Sequence, residues 1–399
     1  MSLNNSNLLG IVSNSPRTRA VRSLKQWVLD GRLQAGERLP AETRLAAKLN
    51  VSRSTIRLAL SDLEKEGVVS SDKRRRIVLE RIKPERTFLS DAVALITDAP
   101  EQFERGKMHG TWHSNFIHTG AVDAIRSAGY DVLNIHPSRI AGDLIQRLIL
   151  QQPRGVIIMR EVLQTPSGQH LPQALEEGNV PFVIYGGIGR ERDSKIVSSY
   201  DTVSSDHEYG SHELTKWLIG QKRRRILRLW NINVTNPNEK PEWISQRDIG
   251  HERAMHEAGL KTLPALEIYN PTNGRDSKEE FQHQVRLMAG YLIEYLTRQE
   301  PIDAIMAVSD SILPTVNAAL KLHNREPNRD ILVVGYDNMW EDLPTRRWES
   351  TPPAATIDKK NLEIGYELMR LLQQRIEGSL PAQGQHRVIK PELIVLQRT

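Results

Sequence analysis

The chain has 399 residues, 39% of them hydrophobic and 26% charged, and no cysteine. That length exceeds one ordinary core and predicts two or three domains; no apolar run approaches the ~20 residues of a membrane span, and the missing cysteines exclude disulfide frameworks, thiolate zinc sites and cysteine nucleophiles. The net charge of +5 is lopsided: residues 1–86 carry 18 Lys and Arg against 9 Asp and Glu, and the remainder 36 against 40. A small basic module on a mildly acidic body predicts a polyanionic partner. The N-terminal residues lack a basic stretch followed by a long apolar core, so no secretory leader is expected and the cytoplasm is the expected compartment.

Residues 1–16, rich in Asn and Ser, predict a flexible arm. Val21, Leu24, Trp27 and Val28 mark one face of a helix over about 18–30, which Gly31 ends. A turn around Gly36 and Pro40 leads to a second helix over about 41–49, with Leu45, Ala46 and Leu49 as its apolar side. Asn50 and Val51 form a tight joint. Ser52 is placed as the N-cap of a third helix over about 53–66, whose stripe is Ile56, Ala59, Leu60 and Leu63. "VVSSDKRRRIVLE" then predicts two strands, 68–70 and 77–79, around a charged tip from Asp72 to Arg76.

Three helices with a tight joint before the third, followed by a two-stranded wing, predict a winged helix-turn-helix over 17–80. The first turns of its third helix carry Arg53, Ser54, Thr55 and Arg57, where the helix dipole would favour acids. Duplex DNA resolves this, because major-groove base edges and phosphates accept hydrogen bonds from arginine, hydroxyls and free backbone N–H groups. The stretch "LPAETRLAAKLNVSRSTIRLALSDLEKEGVV", residues 39–69, resembles the GntR-type winged helix of bacterial transcription regulators. That resemblance implies DNA contacts from Thr43, Arg44, Ser52, Arg53, Ser54, Thr55 and Arg57, and from the wing residues Lys73, Arg74 and Arg75. Thr43 stands where many members carry a contacting arginine, and "KRRR" replaces the glycine usual at the wing tip.

Residues 81–91, charged and broken by Pro84, predict a linker. From Ala92 onward, short apolar runs ("AVALIT", "YDVLNI", "GVIIM", "PFVIYG", "KIVSS", "RILRLW", "LEIYN", "AIMAV", "ILVVGYD") alternate with helix-length segments, the pattern of parallel α/β sheets. So many strands over some 300 residues fit two α/β lobes. Ligands of such sheets bind off the carboxyl ends of the strands. Asp310 and Asp337 end two of these strands, and Arg247 precedes a further helical stretch. Carboxylate and guanidinium together suit a polyhydroxylated ligand.

The phrases "VSSDHEYGSHELTKWLIGQKRRRIL", "SQRDIGHERAMHEAGL", "PIDAIMAVSDSILPTVNAALKLHN" and "RDILVVGYDNM" resemble the LacI/GalR effector domain, a type I periplasmic-binding-protein fold, and "NFIHTGAVDAIRSAGYDV" does so more faintly. The fold class implied is α/β: an N-terminal winged helix-turn-helix plus a two-lobed domain over 92–399, two parallel sheets joined by a hinge. Its lobes would be 92–200 with 358–382, and 203–355 with 386–399, the chain crossing near Tyr200, Asp358 and Gly384. The resemblance implies ligand contacts from Arg247 and Asp310. Trp112, His113, Phe116, Tyr269 and Trp340 complete the candidate ligand set. Trp112 and His113 belong to a segment, Asp98–Ser114, longer than is usual for the family. Gly186 stands where several sugar-binding members carry an Asp.

His109 and His113 have helical metal spacing but no acidic companion, so no metal or other cofactor is expected. "QKRRRIL" is read as a solvated basic turn. A GntR-type reader with a LacI-type sensor resembles the arabinose-repressor class. The expected function is therefore a cytoplasmic, dimeric repressor binding operator DNA and a sugar-like effector, with no membrane partner and no catalysis. The alternatives are an aminotransferase-like enzyme with a DNA-binding extension, and a solute receptor.

Overall fold

Helices α1 (Pro16–Leu29), α2 (Glu42–Leu49) and α3 (Arg53–Lys65) bury the stripes that their apolar spacing sets: Ala20, Leu24 and Val28, then Leu45, then Ile56, Ala59, Leu60 and Leu63. The structure, a computed structural model, describes residues 15–29, 32–34, 36–65, 68–72, 75–78, 89–97, 112–140, 142–163, 165–186, 199–231, 241–268 and 277–396. It divides into two compact units, residues 1–87 and 88–399. The expected arm over 1–14, most of the expected linker and the segment 98–111 lie outside the described residues.

In the first unit, Asn50 takes the left-handed conformation (φ 51°) that ends α2, a role asparagine tolerates well. The Thr55 N–H donates to Ser52 Oγ at 3.1 Å, so Ser52 caps α3. Strands β1 (Val69–Asp72) and β2 (Arg75–Val78) pair antiparallel, with Asp72 opposite Arg75. This corrects the expected long tip: the ladder reaches Asp72 and Arg75, so Arg75 and Arg76 belong to it.

Among the described residues, the second unit holds two six-stranded sheets. In the first lobe run β3 (Ala92–Ile96), α4 (Trp112–Ser127), β4 (Asp131–Ile135), α5 (Gly142–Gln151), β5 (Gly155–Ile158), α6 (Arg160–Leu163), α7 (Leu171–Glu177), β6 (Phe182–Tyr185) and β7 (Thr202–Ser205). The second lobe follows with α8 (His207–Gly220), β8 (Ile226–Asn231), α9 (Glu242–Glu257), β9 (Leu266–Ile268), α10 (Lys278–Thr297), β10 (Ala304–Ala307), α11 (Leu313–Leu322), β11 (Leu332–Val334) and β12 (Ala355–Asp358). Then α12 (Asn361–Ile376) and β13 (His386–Ile389) return to the first lobe, and β14 (Glu392–Val395) ends in the second.

The first sheet has order β13-β7-β6-β5-β3-β4 and is wholly parallel. The second has order β14-β12-β11-β10-β8-β9, with only β14 antiparallel. Both carry near-continuous apolar strands such as Val93–Ile96 and Ala304–Ala307, as sheets covered on both faces require. The chain crosses between lobes after Ser205, after Asp358 and after Ile389. The crossings expected near Tyr200 and Gly384 are thereby corrected: β7 and β13 pair with each other at the edge of the first sheet before the chain leaves it. The strand expected at "KIVSS" falls largely outside the described residues, and the strand that follows is Thr202–Ser205. The basic turn 221–225 is held by its own lobe, since the Arg224 and Arg225 N–H groups donate to Asp303 at 2.8 and 2.9 Å.

Candidate DNA-reading face and ligand site

On the first unit, Thr43, Arg44, Ser52, Arg53, Ser54 and Arg57 are exposed and Thr55 is half-buried. Ser52 is partly committed: besides capping, its hydroxyl lies 2.8 Å from that of Ser54 and 2.7 Å from that of Thr55. Arg53 and Arg57 have side chains 63% and 61% exposed, and each reaches Glu42 Oε2 at 3.4 Å. Arg76, from the wing, donates to Glu42 Oε1 at 3.0 Å. Burial acts to raise the Glu42 carboxyl, but bonds from Arg76, Arg57 and Arg53 outweigh it and hold the group below its ordinary range. One carboxylate thus gathers arginines from the third helix and the wing. Pairs so exposed and so long orient side chains more than they bind them. Neither Glu42 nor Arg76 stood in the expected contact set. Lys73 and Arg74 lie outside the described residues, as does the side chain of Arg75.

In the second unit, α9 is anchored before it is functional. Asp248 accepts from Arg228 at 2.6 Å and from the Trp230 indole at 3.0 Å, which fixes the helix against β8. Gly250 lies so close to α8 that an added Cβ would sit 2.1 Å from the Glu208 carbonyl oxygen. These contacts place Arg247, only 2% exposed, at the carboxyl end of the second sheet. Its Nη1 donates to the Val308 carbonyl at 2.6 Å and its Nε to His207 Nδ1 at 3.4 Å. Its guanidinium lies 3.4 Å from the Tyr336 ring centre and 4.6 Å from that of Trp243. The guanidinium therefore lies over two aromatic rings, in cation–π contact with each.

Around it stand further strand-end residues. Asp337, after β11, has a left-handed backbone (φ 93°) and pairs with buried Lys359 at 2.8 Å. Such a conformation in a non-glycine residue costs of order 1–3 kcal/mol and gathers at functional sites. Burial lowers the Lys359 pKa, Asp337 raises it and Arg247 lowers it; the net shift is downward. His207, which opens α8, is pushed well below its ordinary value by burial, then by Arg247 and Lys359. It is neutral, which suits its acceptance of the Arg247 Nε–H.

The first lobe contributes Arg160 and Tyr185. Burial raises the Tyr185 pKa, and both Asp337 and Arg247 of the other lobe act on it. Arg160 pairs with Glu242 of α9 at 3.6 Å, across the lobes. Its side chain passes over Gly186, where an added Cβ would lie 3.0 Å from Arg160 Cδ. At the position of the missing aspartate, the space is thus taken by an arginine.

Of the expected ligand residues, Arg247 lies in this cluster. Asp310 is fully buried behind it: Oδ1 accepts from the Thr356 hydroxyl and Oδ2 from the Met339 N–H, both at 2.8 Å. Burial pushes its carboxyl up to about 8, against the lowering effect of those donors. Gly335 makes room for it, since a Cβ there would fall 1.8 Å from Oδ1. Asp310 therefore braces the loop that presents Asp337. Trp340 is buried in the second-lobe core, and Phe116 packs against that same core from the first lobe. Tyr269 and the side chains of Trp112 and His113 lie outside the described residues, as does His109. His207, Lys359, Trp243, Arg160 and Tyr185 were missed. Four of them sit at strand ends or within two residues beyond, and the short strand "ATID" that presents Lys359 carried too little pattern to be recognised. Among the described residues, no three His, Cys, Asp or Glu side chains gather as a metal site requires, and no helix is long and apolar enough to cross a membrane.

Two family models match the chain: "Bacterial regulatory proteins, gntR family" over residues 16–79 and "Periplasmic binding protein-like domain" over 215–397. The regulator CelR of Thermobifida fusca is 25% identical over 354 residues, covering 86% of this chain and 93% of CelR. The arabinose metabolism transcriptional repressor of Geobacillus stearothermophilus is 22% identical over 390 residues, 95% of this chain and 96% of that one. Among solved structures, a CelR–cellobiose complex superposes with a TM-score of 0.57 at 22% identity, covering 90% of this chain and 99% of that one. A LacI-family regulatory protein from Chloroflexus aggregans gives 0.58 at 20% identity, covering 77% and 98%.

Proposed function

Because the chain joins a GntR-type winged helix to a LacI-type, periplasmic-binding-protein-like effector domain, we propose that it is a transcription repressor whose operator affinity is set by a sugar-like effector bound where the two lobes meet. The observation that carries this reading is the Arg247 cluster, which draws Arg160 and Tyr185 from one sheet and His207, Asp337 and Lys359 from the other end of the hinge. A ligand touching both groups has different contacts in the open and closed arrangements. That differential binding is all that linkage to DNA affinity requires. The cellobiose bound to CelR and the arabinose repressor's name support a sugar.

The DNA face is Arg53, Arg57, Ser54, Thr43 and Arg44, joined by Arg76. A homodimer on a two-fold operator in the cytoplasm completes the reading, since one winged helix reads too few base pairs for strong specificity. The cluster is read as a binding site and not a catalytic one. The Asp310 carboxyl, the partner Asp337 would need for acid–base work, is buried and already bonded at both oxygens. Operator binding by the Arg53→Ala chain is expected to weaken by roughly 1–3 kcal/mol while its thermal response to effector is kept. Unchanged specific binding would reject α3 as the reading helix.

A further inference from the structure

We propose that Leu58 is a base-reading residue, its side chain meeting the C5 methyl group of a thymine in the major groove of the operator. This rests on the reading of α3 as the helix that enters that groove. Ile56, Ala59, Leu60 and Leu63 complete the buried stripe of α3 and leave Leu58 on the other side, 50% exposed. Among the described residues of the first unit, it is the one large hydrophobic side chain so exposed. A leucine alone on a helix surface is ordinary; the neighbours of this one are not. Ser54 and Ser61 stand one turn before and one turn after it, and Arg57 is one turn from both. Leu58 therefore sits within the face of hydroxyls and guanidinium groups, not at its edge.

The charge of that face suits a polyanion. Helix α3 has no acid in its first turn, and its first acid, Asp62, is paired with Arg17 at 2.6 Å. A single leucine ringed by arginine and serine offers another protein little apolar area, whereas one methyl group is of the size it can cover. In the major groove thymine alone presents a methyl; the other bases present hydrogen-bond donors and acceptors. Arginine and serine answer those polar edges and gain nothing from a methyl. Leucine does the reverse. It covers the thymine methyl, and against the cytosine amino group or a guanine oxygen it would strip water from a polar atom without replacing the bond. The preference for thymine is thus both an attraction and a penalty on the alternatives.

The test starts from the duplex that the full chain selects from a random pool. Each thymine of that motif is replaced in turn by deoxyuridine, which lacks only the methyl, and binding of the parent, Leu58→Ala, Leu58→Met and Arg53→Ala chains is titrated by fluorescence anisotropy. At one thymine position, uracil is expected to weaken the parent about three- to tenfold and to leave Leu58→Ala unaffected. Leu58→Ala should itself be weaker than the parent on the thymine duplex by a similar factor, with an unchanged Tm. Leu58→Met, an adaptable apolar side chain, should keep the preference. A loss in Leu58→Ala of equal size on thymine and uracil duplexes would assign the side chain to the DNA backbone or to a protein surface and overturn the proposal. So would a motif in which no thymine methyl matters. With either result, weaker specific binding by Arg53→Ala would leave α3 standing as the reading helix. Specific binding by Arg53→Ala equal to that of the parent would overturn the reading of α3, and this proposal with it.

Discussion

At Glu42 one carboxylate holds three arginines, and its partners belong to the helix and wing proposed to meet DNA. Its charge opposes phosphate, while its bonds orient the side chains proposed to read bases. Glu42→Gln is therefore expected to tighten binding to random duplex and to lower discrimination for the operator by about 1 kcal/mol; competition titrations at two salt concentrations would show it. His251 presents the opposite case, a buried imidazole beside Thr215 whose pKa is pushed down to about 3 by burial and then by Arg228. The folded chain refuses a proton that the unfolded chain accepts below about 6.5. Stability is thus full at neutral pH and is lost as pH falls from about 6.5 towards 3, at roughly 1.4 kcal/mol per pH unit. Urea unfolding at pH 6.5 and 5 should show His251→Gln losing about 2 kcal/mol less than the parent over that step.

Among the elements, α9 does most to place the proposed ligand site. Asp248 ties it to β8, and Gly250 lets it lie against the backbone of α8. Gly250→Ala is expected to push the two helices apart and so to displace Arg247, which stands one turn earlier on the same helix. The expected outcome is a destabilisation of about 1–3 kcal/mol together with a loss of effector binding that exceeds it, measured by calorimetry on protein shown to be folded. How much of this was legible follows from the elements themselves. Helices α2 and α3 were readable because caps, joint and apolar stripe agree, and the central strands because they are apolar throughout. Strands β7, β12, β13 and β14 were not, because "TVSS", "ATID", "HRVI" and "ELIV" are short and mixed, and edge pairing decides them. That hid the true crossings, and with them Lys359 and His207. The environment of Asp310 was hidden for a related reason: it precedes a helix after a strand, as ligand residues do, while its buried carboxyl, bonded to Thr356 and Met339, lies beneath Gly335.

For the whole molecule, three crossings join the lobes and the Arg160–Glu242 pair spans them. Phe116 adds an apolar contact from the first lobe to the second. An effector that engages the Arg247 cluster shifts the balance of the two lobes only by its differential affinity. The function proposed for the chain is that this shift is read by the winged helix. The measurement that tests it most directly is operator affinity, with the operator obtained by selection from random duplexes and read by fluorescence anisotropy. The account predicts a two-fold symmetric motif and a change in Kd of about 5–150-fold when a compound that raises Tm is added. A selected motif whose affinity is the same with and without that compound would contradict it.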